Sequence, residues 1–329
     1  MVNHVIYHGG CVDGFTAAAL LRQVYPYAVL HAARYQEAPP DVSGEVVIAD
    51  FSYPPAVLTE IAARPNVDRV TMLDHHQTTR DQIAEQGMPE GVDVVLDMDR
   101  SGARITFDWL RDVRTADVAL SGSGVAGWET LVDYVQDRDL WRFALDDSRE
   151  VTAYINAAPM TLDRWAALAV EVRDEHDIVV RCGQAVLDRN RVLLDQMRET
   201  VAVAEIGGFP VPVTASPYGL GSDFAGEVAA TSPHGIGGYY IDYPGFRQFG
   251  LRSTDTGPDV QAIARTFGGG GHVHASGFKI DRATGHPLLA DFHAYGGGSG
   301  GGGGGVGGRT GSGVGGRTGS GGSSYANLT

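Results

Sequence analysis

The sequence predicts an α/β fold in which an N-terminal parallel-sheet domain is joined to a smaller α/β domain and followed by a disordered Gly-rich tail. Three observations predict it. Short β-branched-rich apolar runs alternate with helical patterns as far as Asp97. A long helical stretch without proline then covers 161–200. Beyond it, strand-like runs are separated by Gly and Pro until the composition becomes nearly all Gly and Ser from Gly296. Alternation of the first kind argues for βαβ units and a mainly parallel sheet.

Taken in order, "HVIYH" (His4–His8), "EVVIAD" (Glu45–Asp50), "RVTMLD" (Arg69–Asp74) and "DVVLD" (Asp93–Asp97) are strand candidates. The intervening "DGFTAAALLRQVY", "PPAVLTEIAA" and "TTRDQIAEQ" have helical spacing. The stretch from Trp165 to Met197 is the expected helical connector. "AVAEIGGFPVPVTAS", "GIGGYYIDY" and "FRQFGLRS" then predict a small sheet, "PDVQAIARTF" a helix, and "GGGGHVHASGFKI" the end of the second domain. The expected divisions are 1–165 for the first domain, 166–200 for the connector, 201–295 for the second domain and 296–329 for the tail. A segment with the tail's composition cannot bury enough apolar surface to offset the entropy of ordering it.

Composition limits the functional classes. With 329 residues the chain suits two cores. No run approaches the roughly 20 apolar residues of a membrane helix. The start "MVNHVIYHGG" lacks the basic and long apolar regions of a signal peptide, so the cytoplasm is the expected compartment and no membrane partner is expected. Cys11 and Cys182 stand far apart, which suits reduced thiols. A net charge of −15 with a single lysine, Lys279, argues against a track for extended duplex nucleic acid, because such tracks displace counterions from many phosphates at once. A short anionic substrate fits if its charge is met locally by arginine or bound metal.

Each of the first three strands ends on a group able to bind metal or move a proton: His8, then Asp50, then the trio Asp74, His75 and His76. Ligands of open parallel sheets bind beyond the carboxyl ends of the strands, so these groups are expected to converge. Asp13 alone reads as a helix cap and Asp50 alone as a turn residue. The trio is different. Two adjacent imidazoles beside a carboxylate are costly to desolvate without a partner, and a borderline divalent cation resolves that conflict. In "LVDYVQDRDLW", Asp137 or Asp139 is expected to face the crevice, and spacing does not choose between them. The glycines before His272 are either an anion-approaching loop or a connector.

In this order, "HGGCVDG", "VVIAD", "LDHH", "SGARI", "VQDRDLW", "LRS" and "GGGGHVHASG" resemble the DHH phosphoesterase superfamily with its DHHA1 C-terminal domain, over roughly Met1 to Phe278. That superfamily includes RecJ-type exonucleases, nano-RNases, adenosine bisphosphate phosphatases and cyclic-dinucleotide phosphodiesterases. The resemblance implies metal ligation by His8, Asp13, Asp50 and His75, with Asp137 as the fourth-motif ligand and Asp139 as its substitute. It implies that His76 faces the scissile phosphate, that Asp74 orients the histidines, and that Arg252, the Gly268–Gly271 run (Gly269, Gly270 and Gly271 above all) and His272 hold the substrate. The implied cofactor is a pair of divalent ions, Mn2+ first and Mg2+ as the alternative.

The expected activity is metal-dependent hydrolysis of short oligonucleotides or linear or cyclic dinucleotides. A nucleotide bisphosphate phosphatase or pyrophosphatase is the alternative, and a non-catalytic nucleotide-binding protein the second. A homodimer is left open.

One departure from the family pattern concerns the first motif, which usually holds two aspartates as H-x-D-x-D-G. Here Cys11 stands in place of the earlier acid, one residue further from His8. Cys11 is a packing residue, a thiolate ligand, or the mark of a site filled only with substrate. The packing role is the expected one, because a buried cysteine is usually inert. Cys11→Ala is therefore expected to keep most activity and its full metal content by elemental analysis; loss of one metal equivalent is the contrary result.

Overall fold

β1 (Val2–His8) is followed by α1 (Val12–Val24), β2 (Val29–Ala33), β3 (Gly44–Ala49), α2 (Pro55–Ala62), β4 (Val67–Asp74), α3 (Gln77–Gln86) and β5 (Val92–Leu96). These belong to a computed structural model that describes residues 1–290 and Phe292, apart from Gln36, 114–124 and Tyr218. The strands form one parallel sheet in the order β2-β1-β3-β4-β5. Tyr7 pairs with Ala49 and Ala49 with Leu73, so His8, Asp50 and Asp74 stand side by side one residue further on. The register alone thus brings the three strand-end groups into one row.

All four expected strands are present, with ends shifted by one or two residues. β2 is an addition. It lies on the sheet edge with only Ala33 buried, and "VLHAA" carries little of the β-branched, alternating signal that marks a half-covered strand. α1 is buried from Asp13 through Leu21 and so has no polar face there.

α4 (Gly102–Val113), α5 (Glu129–Asp139), α6 (Ser148–Asn156), α7 (Leu162–Asp174) and α8 (His176–Arg198) follow. The expected connector is two helices, with Glu175 leaving helical geometry at φ −122°, ψ 34° between them. The Thr161 hydroxyl caps α7 by accepting from Arg164 N. Trp165 of α7 is fully buried, meets Phe15 edge-to-face at 4.9 Å and donates Nε1–H to Thr16 Oγ1 at 2.9 Å. The connector therefore packs on α1, whose first turn carries Asp13.

The second sheet comprises β6 (Ala202–Ile206), β7 (Phe209–Ala215), β8 (Ile236–Asp242), β9 (Phe246–Ser253), β10 (Gly270–His272) and β11 (Ala275–Asp281), in the order β10-β11-β9-β8-β7-β6. It is antiparallel except for β7 and β8, whose parallel crossover is α9 (Gly221–Thr231). α10 (Val260–Thr266) precedes the β10–β11 hairpin. Stacked Phe267, Phe278 and Phe249 rings, with centroids 4.3 and 5.0 Å apart, anchor that hairpin to its sheet.

Both sheets lie within the compact unit Met1–Tyr295. The expected boundary at 165 falls inside α7, and the one at 200 just after α8. The tail expected to be disordered, Gly296–Thr329, lies outside the described residues. Among the described residues no helix is long and apolar enough to cross a membrane.

Because Trp165 joins the helical layer to α1, Trp165→Ala is expected to cost about 3–5 kcal/mol of unfolding free energy, measured by urea denaturation.

Candidate metal centre

Asp50 follows β3 with φ +55°, a left-handed conformation that a non-glycine residue adopts at some cost, and it is 1% exposed. Two glycines make room for it. A Cβ on Gly102 would stand 2.4 Å from the Asp50 Cβ, and one on Gly14 would stand 2.9 Å from Asp50 Oδ2. The glycines of the first motif and of "SGARI" are thus explained by close approach to one carboxylate.

Around Asp50 the other groups assemble. His75 Nε2 is 3.1 Å from Asp50 Oδ1, 3.5 Å from Asp139 Oδ2 and 3.8 Å from Asp13 Oδ2. His8 Nδ1 lies 3.5 Å from Asp50 Oδ2. Asp13 also accepts from Gly102 N and Ala103 N, at 2.6 and 3.0 Å, so it holds the N-terminus of α4 besides starting α1. Asp74 is fully buried. It accepts from His76 Nδ1 at 2.7 Å and from Thr79 Oγ1 at 2.6 Å, which places the His76 ring proton on Nδ1 and leaves Nε2 without that bond. From the second sheet, His272 stacks on His76 at 5.0 Å and 18°, and its ring is 5.0 Å from that of His75.

The electrostatics are those of a site short of positive charge. Burial raises the Asp13 pKa well above the carboxylate range, and the charges of Asp50 and Asp139 push it further. Burial opposes ionisation of Asp50, but the His75 and His8 rings set against it outweigh that and hold its pKa well below the usual value. Burial likewise opposes a charged His75, and Asp139, Asp50 and Asp13 override it. Burial, with His76 and His75 beside it, lowers the His272 pKa to about 3.

Four buried polar atoms here make no hydrogen bond: His8 Nδ1, Asp50 Oδ2, His75 Nδ1 and Asp139 Oδ2. Ligand atoms fall into three groups spanning no more than 4.8 Å, namely Asp13/His75/Asp139, His8/Asp50/His76 and His75/His76/His272. Carboxylates mixed with imidazoles around orphaned acceptors fit a borderline divalent cation. Cys11 lies outside all three groups. Desolvation, with Asp50, Asp139 and Asp13 adding to it, pushes its thiol pKa well up.

Two expectations are corrected. Asp139, and not Asp137, joins the cluster: Asp137 turns the other way and accepts from Ala144 N (2.9 Å), Leu145 N (3.4 Å) and Ser148 Oγ (2.5 Å). Both acids sit at the end of one helix, and only the packing of the following loop separates their directions.

The glycine run is not an open anion cradle. Gly268 N and Gly269 N donate to Arg265 O and Ala264 O at 3.0 and 2.9 Å, and Gly271 N donates to Thr78 Oγ1 at 3.0 Å. These glycines are required because a Cβ on Gly269 would stand 2.1 Å from Gly277 O, and one on Gly270 would stand 2.8 Å from Thr78 Oγ1.

Arg252 donates Nη2–H to Ser222 Oγ at 2.7 Å while its buried Nε has no partner; burial lowers its pKa. Thr78 went unnoticed in the sequence. Its hydroxyl bonds Gly271 O and Gly271 N and also accepts from Gln261 Nε2, tying α3 to the hairpin that bears His272. A threonine at the start of a helix carries no signal for such a role.

The architecture is of the class that the ordered motifs imply, with acid and imidazole groups at the strand ends of a parallel sheet and a second sheet behind a glycine-rich hairpin. The fold is shared with the crystal structure of an exopolyphosphatase-related protein from Bacteroides fragilis, at a TM-score of 0.50 and 13% identity over 85% of this chain and 86% of that one. RecJ of Thermus thermophilus, in complex with Mn2+, is similar at a TM-score of 0.49 and 17% identity over 85% of this chain and 50% of that one. In sequence, the uncharacterized protein R106 of Acanthamoeba polyphaga mimivirus is 24% identical over 303 residues, 85% of this chain and 68% of that protein. No protein-family model matches the chain.

Asp139→Asn is expected to weaken Mn2+ binding roughly tenfold or more by calorimetric titration. Asp137→Asn is expected to leave that affinity within about threefold and to lose about 1–3 kcal/mol of stability instead.

Proposed function

We propose that the protein is a divalent-metal-dependent phosphodiesterase of the DHH type, acting on short oligonucleotides or dinucleotides. The observation that carries this reading is the pair of ligand groups with no residue in common, Asp13/His75/Asp139 and His8/Asp50/His76, on opposite sides of Asp50 and His75 in one buried crevice. Such a pair suits two cations, and two cations suit in-line displacement at phosphorus. When bound, they acidify water and offset charge on the phosphoryl oxygens.

In this reading His8 and Asp50 hold one cation, and Asp13, His75 and Asp139 the other. Asp50 touches both sides, with Oδ1 toward His75 and Oδ2 toward His8. Asp74 fixes the ring proton of His76 on Nδ1, so that the other ring nitrogen serves the substrate. His272 arrives from the second sheet, and with Arg252 it bounds the place where the phosphoryl group would lie. The crevice is closed above by the hairpin that Thr78 holds, which excludes water from the groups that meet the phosphate.

Short substrates fit the charge distribution. A chain of net charge −15 has no broad basic path for a long strand, and the local cations of the site would have to attract the substrate instead. The shared fold with the Bacteroides protein supports the architecture and leaves open whether the scissile bond is a diester or a phosphoanhydride.

The test is a hydrolysis panel of linear and cyclic dinucleotides, short RNA and DNA, adenosine bisphosphate and pyrophosphate, in Mn2+ against Mg2+. Turnover is expected to be fastest on the dinucleotides, to stop with chelator and to return with Mn2+. Asp50→Ala is expected to be inactive on every member, at least about a hundredfold down. Release of phosphate from adenosine bisphosphate or pyrophosphate alone would overturn the diesterase reading.

A further inference from the structure

The loop that joins α5 to α6 begins immediately after Asp139 and is built against the ordinary preferences of the chain. Among the described residues, four non-glycine positions have positive φ: Asp50, Trp141 (+56°), Phe143 (+49°) and Asp147 (+53°). Three of these four fall in this loop. Bulky aromatic residues rarely adopt that conformation, and a loop that enforces it twice in three positions needs a compensating role. Core burial is not that role, because Trp141 remains 46% exposed.

Asp137 enforces the geometry from beneath. Its side chain accepts from Ala144 N, Leu145 N and Ser148 Oγ, and its carbonyl from Arg142 N at 2.8 Å. The product is a ladder of alternating rings and cations. The Arg138 guanidinium lies 4.2 Å from the Trp141 ring centroid and 5.3 Å from that of Phe143, the two rings meet at 5.1 Å, and Arg149 lies 4.1 Å from Phe143. Arg138 is also pinned to Asp223 of α9 at 2.6 Å, so the ladder sits where the two sheets' helices meet. At its near end is Asp139 of the metal cluster, next in the chain to Arg138.

We propose that Trp141, backed by Arg138 and Phe143, is the stacking platform for a nucleobase of the substrate. This rests on the phosphodiesterase reading and deepens it, because it assigns the substrate a base and not only a phosphate. Stacking on a half-exposed indole is tolerant of base identity, since every base presents a π face, and a guanidinium held against the platform adds a cation–π contribution. The buried, unpartnered Nε of Arg252 lies within electrostatic reach of Arg138 and Asp139, as a phosphate contact beside a seated base requires. Polyphosphate or pyrophosphate would leave this surface unused.

The test reads binding, so it stands even if the hydrolysis panel fails. The full-length chain in Mg2+ is titrated with adenosine 5′-monophosphate and, separately, with ribose 5-phosphate, following tryptophan fluorescence and calorimetric affinity. The nucleotide is expected to quench emission and to bind at least about tenfold tighter than the sugar phosphate. Trp141→Phe is expected to lose the quench while keeping affinity within about threefold.

Trp141→Gly separates binding from folding. Glycine accepts φ +56° without penalty, so this variant is expected to melt no lower than the wild type and yet to bind the nucleotide roughly tenfold or more weakly. Equal affinity for the two ligands, or unchanged nucleotide affinity in Trp141→Gly, would overturn the proposal.

Discussion

Asp50 is the point on which the rest of the molecule turns. Its carboxylate is removed from water between two imidazoles, in a crevice that also buries Asp13 and receives Asp139. Bringing three acids together in low dielectric is unfavourable unless cations accompany them, and the protein supplies only histidines for that purpose. The surrounding chain is arranged to tolerate the conflict. Parallel register aligns three strand ends, a left-handed residue turns the carboxylate into the crevice, and Gly14 and Gly102 keep side chains out of its way.

The second sheet completes the crevice through a small number of polar contacts. Thr78 bonds the β10 backbone from the helix that follows the paired histidines, and Gln261 bonds Thr78 in turn. Arg265 meets Asp81 at 3.5 Å, and Arg138 meets Asp223 across the other side. His272 therefore reaches His76 as part of a hydrogen-bonded hairpin and not as a flexible arm. These contacts are polar and modest, as suits two bodies that have to part for a substrate to enter.

Asp137 and Asp139 illustrate a division of labour within one helical turn. One reaches the crevice; the other organises the backbone of the loop beyond. The loop's strained residues and the cation–ring ladder depend on that second aspartate, so a carboxylate outside the cluster still shapes the rim of the site. Function in this region is distributed between a group that touches the reacting centre and one that positions its surroundings.

Much of the design was legible in the residues alone. The apolar runs ending in His8, Asp50 and Asp74–His75–His76 announced both the sheet and the convergence, because strand periodicity and the strand-end rule are local properties. The edge strand β2, the break at Glu175 and the helices α4 and α6 were not legible, since each is stabilised by neighbours remote in sequence. The choice between Asp137 and Asp139, the closed glycine hairpin and the role of Thr78 were decided only by tertiary packing. The chain by itself determined which chemical groups are available and that sheet topology would gather them. The folded structure decided which oxygen faces the crevice, because a side chain's direction at a helix end is set by the hydrogen bonds the next loop offers it and not by its spacing from its neighbours.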